Sequence, residues 1–181
     1  REEYDRLTKI APVVAYPTGP WVNSWQDMQR VTAKALGRSA AGDELVSRTE
    51  ELVSRRSDEL GAAKGKTFIY GDVSQSLGFY GPADGRPRFF TELGFKINPA
   101  YAGITKDKFY GEVSKENADQ INSDVLVWDQ LSYSPKQSKA SVTEDPIVGK
   151  LPAVKDGHSV YLEGDLEKAF GWQTVLSLNY L

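Results

Sequence analysis

The sequence predicts an α/β fold, a three-layer αβα sandwich built on a mainly parallel sheet. Three observations carry this. Apolar residues recur at helical spacing in several long segments, short runs of β-branched and aromatic residues stand between them, and Gly or Pro marks most of the joins. Helices alternating with short strands along 181 residues form crossover units, and such units bury a sheet between helices.

Taken in order, Val22–Leu36 reads as a helix. Trp25, Met28, Val31 and Ala35 share one face, Ser24 and Asp27 suit a capping box at its start, and Gly37 stops it. Asp43–Leu60 reads as a second helix with Leu45, Val46, Thr49, Leu52, Val53 and Leu60 as its apolar stripe and Gly61 at its end. Lys66–Tyr70 is a short, largely buried strand. Arg86–Leu93 is a helix entered through Pro87 and ended by Gly94. Phe109–Val113 is a weaker strand, and Lys115–Ile121 a short helix with Ser114 as N-cap. Asp124–Trp128 is the strongest strand. With Lys66–Tyr70 it is expected among the parallel strands, joined by right-handed crossovers. Residues 132–143 are polar and read as a surface loop. His158–Leu162 is the last strand. Residues 166–181 carry Leu166, Ala169, Phe170, Val175, Leu176, Leu178 and Leu181, a spacing that suits a mostly buried helix. With no Gly or Pro to end that helix, the polypeptide is expected to continue past Leu181.

Composition narrows the function. A chain that is 40% hydrophobic fits one globular domain, and a net charge of −3 does not indicate a nucleic-acid surface. Cysteine is absent, which excludes disulfides and thiolate metal sites. No apolar run approaches the length of a membrane span.

The motifs that resemble catalytic ones fail on context. Gly61–Thr67 (GAAKGKT) is one residue short of a phosphate-binding loop. It also runs from helix to strand, the reverse of the order that points a helix N-terminus at phosphate. His158 is the only histidine, and without cysteine it leaves little material for a triad or a zinc site. Neighbouring carboxylates such as Glu50 and Glu51 do not face each other on a helix. The aromatic and basic residues say more. Ligands of open α/β sheets collect at the carboxyl ends of strands, here Tyr70–Asp72 and Trp128–Gln130. Arg86, Arg88, Tyr80 and Trp128 are therefore the candidate ligand residues, whereas Phe89 and Phe90 are expected in the core.

Two segments carry a family resemblance. Gly111–Val127 (GEVSKENADQINSDVLV) and Leu151–Leu162 (LPAVKDGHSVYL) resemble the C-terminal lobe of iron–siderophore substrate-binding proteins of ABC importers. Tyr4–Val14 (YDRLTKIAPVV) resembles the exit from that family's interlobe helix. Trp21–Gly37, with Ala35–Gly37 (ALG) at its close, resembles that family's next helix, and Phe90–Gly94 (FTELG) resembles one of its helix ends. The resemblance implies one lobe of a class III-type periplasmic binding protein. Residues 1–20 would be the end of the interlobe helix and a linker, and residues 21–181 the C-terminal substrate-binding lobe, with the N-terminal lobe preceding Arg1. It further implies a ferric siderophore as ligand, with haem or cobalamin as alternatives, and delivery to a membrane permease. Glu116 matches the family's acidic docking position. Iron would enter only within the siderophore, with no cofactor, no nucleic acid and no enzymatic activity. A monomer is expected in the periplasm or on the outer face of the cell membrane, held by a lipid anchor. Outside this family, an α/β enzyme of another type and a structural cell-surface domain remain as readings.

Overall fold

The computed structural model describes all residues except 1, 17, 20, 74–75, 106–108, 132–136 and 179–181. Helix α1 (Glu2–Leu7) is followed by α2 (Trp25–Ala35) and α3 (Ser39–Glu59). Ser24 caps α2, its Oγ accepting from Asp27 N at 3.0 Å. The Asp27 carboxylate accepts from the same hydroxyl at 2.7 Å, so it supports the cap through the side chain rather than the backbone. Helix α3 begins four residues earlier than Asp43 because Gly42 lets it approach Ala33 of α2, a contact that a Cβ would block. Val46, Thr49 and Val53 of its expected stripe are buried, while Leu45 stays exposed. Gly37, Gly61 and Gly94 end their helices at φ of 67°, 52° and 102°.

The sheet comprises β1 (Thr67–Val73), β2 (Leu77–Tyr80), β3 (Lys96–Ile97), β4 (Tyr110–Val113), β5 (Val125–Trp128) and β6 (Ser159–Tyr161). Its order is β4-β2-β1-β5-β6, with β3 against the first residues of β1. Strands β1 and β5 pair in parallel, as expected, and β5 pairs in parallel with β6. Strand β2 alone of the six runs against the others, antiparallel to β1 and to β4. Asp124 sets the β1–β5 register. Its carboxylate accepts from Thr67 N at 2.8 Å and Thr67 Oγ1 at 2.7 Å, bonds that hold it below the usual carboxylate range.

Period-two alternation sends the strand side chains to two cores. Ile69, Val73, Phe79, Leu126 and Trp128 face one layer. It holds α5 (Pro99–Thr105), a 3-10 helix (Lys115–Ile121), α6 (Lys139–Thr143) and α7 (Pro152–Lys155). Phe68, Tyr70, Tyr80 and Val127 face the other, where α2, α3, α4 (Gly85–Glu92), α8 (Gly164–Trp172) and α9 (Val175–Leu178) pack. Phe89 and Phe90 lie in this core, as expected. Among the described residues no helix is long and apolar enough to cross a membrane.

Three local readings are corrected. Lys115–Ile121 is 3-10 rather than α-helical, kinked at Asn117, and Ser114 gives it no side-chain cap. The expected loop at 132–143 contains α6, which Ser138 opens with a reciprocal cap to Ser141; residues 132–136 lie outside the described part. The expected terminal helix is broken by Gln173, whose left-handed φ of 40° turns α8 into α9; its residues 179–181 are likewise outside.

Candidate ligand-binding site

The site forms where β1 and β5 end and α4 begins. Asp84 N-caps α4, its Oδ1 accepting from Arg86 N at 2.8 Å. The same carboxylate grips the Arg86 guanidinium in a two-pronged bond, Nε to Oδ1 at 2.9 Å and Nη2 to Oδ2 at 2.8 Å. Nη1 donates to Asp129 Oδ2 at 3.1 Å. Asp129 is held in place by the sheet itself, since its N–H donates to Gly71 O at 2.7 Å just past the end of β5. The guanidinium carbon sits 3.6 Å from the centroid of the Tyr80 ring, a cation–π contact. These bonds leave part of the Arg86 donor fork for another acceptor.

Burial and pairing compete at Arg86, Asp129 and Tyr80. Burial opposes the charge of Arg86, but the hydrogen bonds and charge of Asp84 prevail and raise its pKa above the ordinary arginine value. Burial pushes the Asp129 carboxyl up, with Arg86 opposing. Burial likewise pushes the Tyr80 phenol up to about 12, so it is a neutral hydroxyl at physiological pH. Its oxygen accepts from Gln130 Nε2. Tyr70, Phe109 and Tyr110 surround the Tyr80 ring edge-on at 5.2–6.0 Å.

Above this charged floor stand two tryptophans. Trp21 and Trp172 are 63% and 71% exposed, with ring centroids 6.5 Å apart. A cavity of about 550 Å³ lies between them and the floor of Tyr80, Arg86, Asp129 and Gln130. A second cavity, about 650 Å³, adjoins it towards α2 and the α8–α9 junction and shares Trp21, Arg86 and Trp172. Among the described residues, Trp21, Gln130 and Gln173 are the non-glycine residues with positive φ, and all three line these cavities. Such conformations cost energy and concentrate at functional sites.

Of the candidates read from the sequence, Tyr80 and Arg86 come together. Arg88 points elsewhere. Its guanidinium donates to Asn23 O at 3.1 Å and Val22 O at 3.4 Å, fixing the segment that carries Trp21. The expectation of Trp128 on an open surface is corrected. It is 1% exposed on the opposite sheet face, and its Nε1 donates to Ser159 Oγ. Alternation along β5 puts Trp128 and Val127 on opposite sides, so a residue at the strand end is near the site only if its parity is right. Glu116 is exposed in the 3-10 helix after β4, away from the cavities. Sequence reasoning missed Asp84, Asp129, Trp21 and Trp172. Asp129 had a signal, its place at a strand end; the tryptophans had none. His158 is exposed, and among the described residues no cluster of His, Asp or Glu could hold a metal ion.

A floor of buried, paired charges beneath exposed aromatic walls, at the end of an α/β sheet, has the features of a solute-binding cleft. The chain belongs to the family described as periplasmic binding proteins, whose model matches residues 1–166. It is 33% identical to the iron uptake ABC transporter substrate-binding protein PiaA of Streptococcus pneumoniae TIGR4, with a TM-score of 0.81. The alignment covers 99% of this chain and 63% of PiaA. PiaA in complex with ferrichrome is similar at 32% identity and TM-score 0.82, covering 99% of this chain and 61% of that one. FhuD2 of Staphylococcus aureus shares the fold, with TM-score 0.77 at 19% identity over 99% of this chain and 68% of its own. The chain thus spans somewhat over three-fifths of PiaA. No curated protein sequence matches it.

Proposed function

We propose that this chain is the second lobe of a two-lobed substrate-binding protein that captures a ferric siderophore of the hydroxamate type and delivers it to an ABC permease outside the cytoplasm. The observation that carries the reading is Arg86, held over Tyr80 by Asp84 and Asp129 beneath Trp21 and Trp172. Arg86 offers donors to the ligand's oxygens, and Tyr80, already accepting from Gln130, has its own proton to donate. Arg86, Asp84 and Asp129 together carry one formal negative charge, which suits a neutral ferric trihydroxamate better than an anionic complex. The 32%-identical relative bound to ferrichrome points the same way. The lobe performs no chemistry in this reading. The other lobe closes the cleft, lipid anchoring belongs to the whole protein, and exposed Glu116 is the docking contact to the permease.

The test is a ferrichrome titration of the protein at its full natural length, followed by tryptophan fluorescence. Binding should quench emission, and the quench should shrink most in Trp172→Phe and Trp21→Phe while Trp128→Phe keeps most of it. A protein that binds haem or cobalamin but no ferric siderophore would overturn the reading.

A further inference from the structure

The second cavity is not explained by Arg86. It lies between α2 and the α8–α9 junction, and its walls are mostly apolar: Trp25, Met28 and Val175, with the Trp21–Trp172 pair separating it from the first. One polar group in it stands out. Gln173 sits in a left-handed conformation that its side chain disfavours, φ 40°. The buried Nε2 of its amide has no hydrogen-bond partner. Its Oε1 lies against Gly85, the first residue of α4, where a Cβ would come to 2.5 Å. Glycine at 85 therefore makes room for the amide beside the turn between α8 and α9. A buried donor left unpaired is costly, and Nε2 is closed off here, so a turn of the side chain that brings the amide to the cavity face gains it an acceptor and relieves that cost.

We propose that this cavity is a second ligand compartment, in which Gln173 donates from its amide to a backbone amide carbonyl of the siderophore while Trp25 and Met28 pack against the ligand's apolar chain. The first compartment holds the ferric hydroxamate head and the second its peptide-like scaffold, with Gln173 the specificity-determining residue for that scaffold. This rests on the siderophore reading above.

The test compares two probes on the protein at its full natural length: ferrichrome, whose hydroxamates hang from a peptide ring, and the ferric acetohydroxamate complex, which has no scaffold amide. Gln173→Gly removes the amide and relieves the backbone, and Gln173→Glu keeps the shape while replacing the donor by an acceptor. Both should weaken ferrichrome binding roughly five- to tenfold, the loss of about one hydrogen bond, and leave the acetohydroxamate complex unchanged. Gly85→Ala should weaken ferrichrome comparably by displacing the amide. In the Gln173→Gly background it should add almost nothing, since the two act as one unit. Wild-type ferrichrome affinity in both Gln173 variants would overturn the second compartment while leaving the siderophore reading standing. Equal losses for both probes would overturn it too, by assigning Gln173 to the head group. Absence of ferrichrome binding in the unmutated protein would overturn the second compartment, and the siderophore reading falls with it only if no ferric siderophore binds.

Discussion

Removing the guanidinium of Arg86 should be among the most damaging substitutions in this lobe, even without ligand. Its side chain is 16% exposed, and the side chains of its two partners, Asp84 and Asp129, are 4% exposed each. Arg86→Ala leaves both carboxylates buried without their cation. Breaking a buried pair from one side typically costs about 3–5 kcal/mol, most of it the uncompensated charge that remains. For a chain of this size that is a fall in Tm of roughly 6–20 °C. The loss should depend on pH, and its sign follows from Asp129. Burial already raises the folded pKa of this group above its unfolded value, and without Arg86 it must rise further. A raised carboxylate contributes stability below its unfolded pKa and loses it as pH rises through the folded pKa. The Arg86→Ala deficit should therefore be small near pH 4 and grow towards pH 7. Urea denaturation of both proteins across pH 4–8 measures it. A deficit below about 1 kcal/mol at pH 7, or one that does not vary with pH, would refute the role of Arg86 as the cation that holds two buried carboxylates.

Two further outcomes are expected elsewhere in the fold. Asp145 accepts from Ile147 N and Val148 N, both at 2.9 Å, and from Lys115 Nζ at 2.8 Å. Burial opposes its charge, yet the Lys115 and backbone bonds prevail and hold the carboxyl below the usual range. Its contribution is thus present above the unfolded pKa and lost as pH falls through the folded one, so Asp145→Ala should cost roughly 1–3 kcal/mol at pH 7 and progressively less as pH falls below the usual carboxylate range, read by thermal melts across the acid limb. Glu116→Ala should leave stability within about 0.5 kcal/mol and ferrichrome affinity unchanged, yet slow uptake in cells through loss of an orienting charge at the permease. Unchanged uptake at low and physiological salt would remove Glu116 from that role.

The sequence by itself determined the layers. Helical stripes such as Val46, Thr49 and Val53 and the glycine stops are local patterns, and the local backbone obeys them. The Lys66–Tyr70 and Asp124–Trp128 strands were legible because a buried parallel strand must be apolar on both faces. Arg86 and Tyr80 were legible as candidates because charge and aromatic rings crowd the loop after a strand. What the sequence could not decide was which of these side chains share a volume. Trp128 and Asp129 are neighbours in the chain, yet strand alternation buries one in the core and pairs the other with Arg86. Arg86 and Arg88 lie on one helix, two residues apart, and two residues on a helix point well apart. One arginine therefore enters the cleft and the other ties down the segment bearing Trp21. Trp21 and Trp172 are about 150 residues apart in the chain, and only tertiary packing, which costs the entropy of closing that loop, brings them to one rim. The antiparallel β2, which seats Tyr80 beside Tyr70, likewise depends on its neighbours rather than on its four residues.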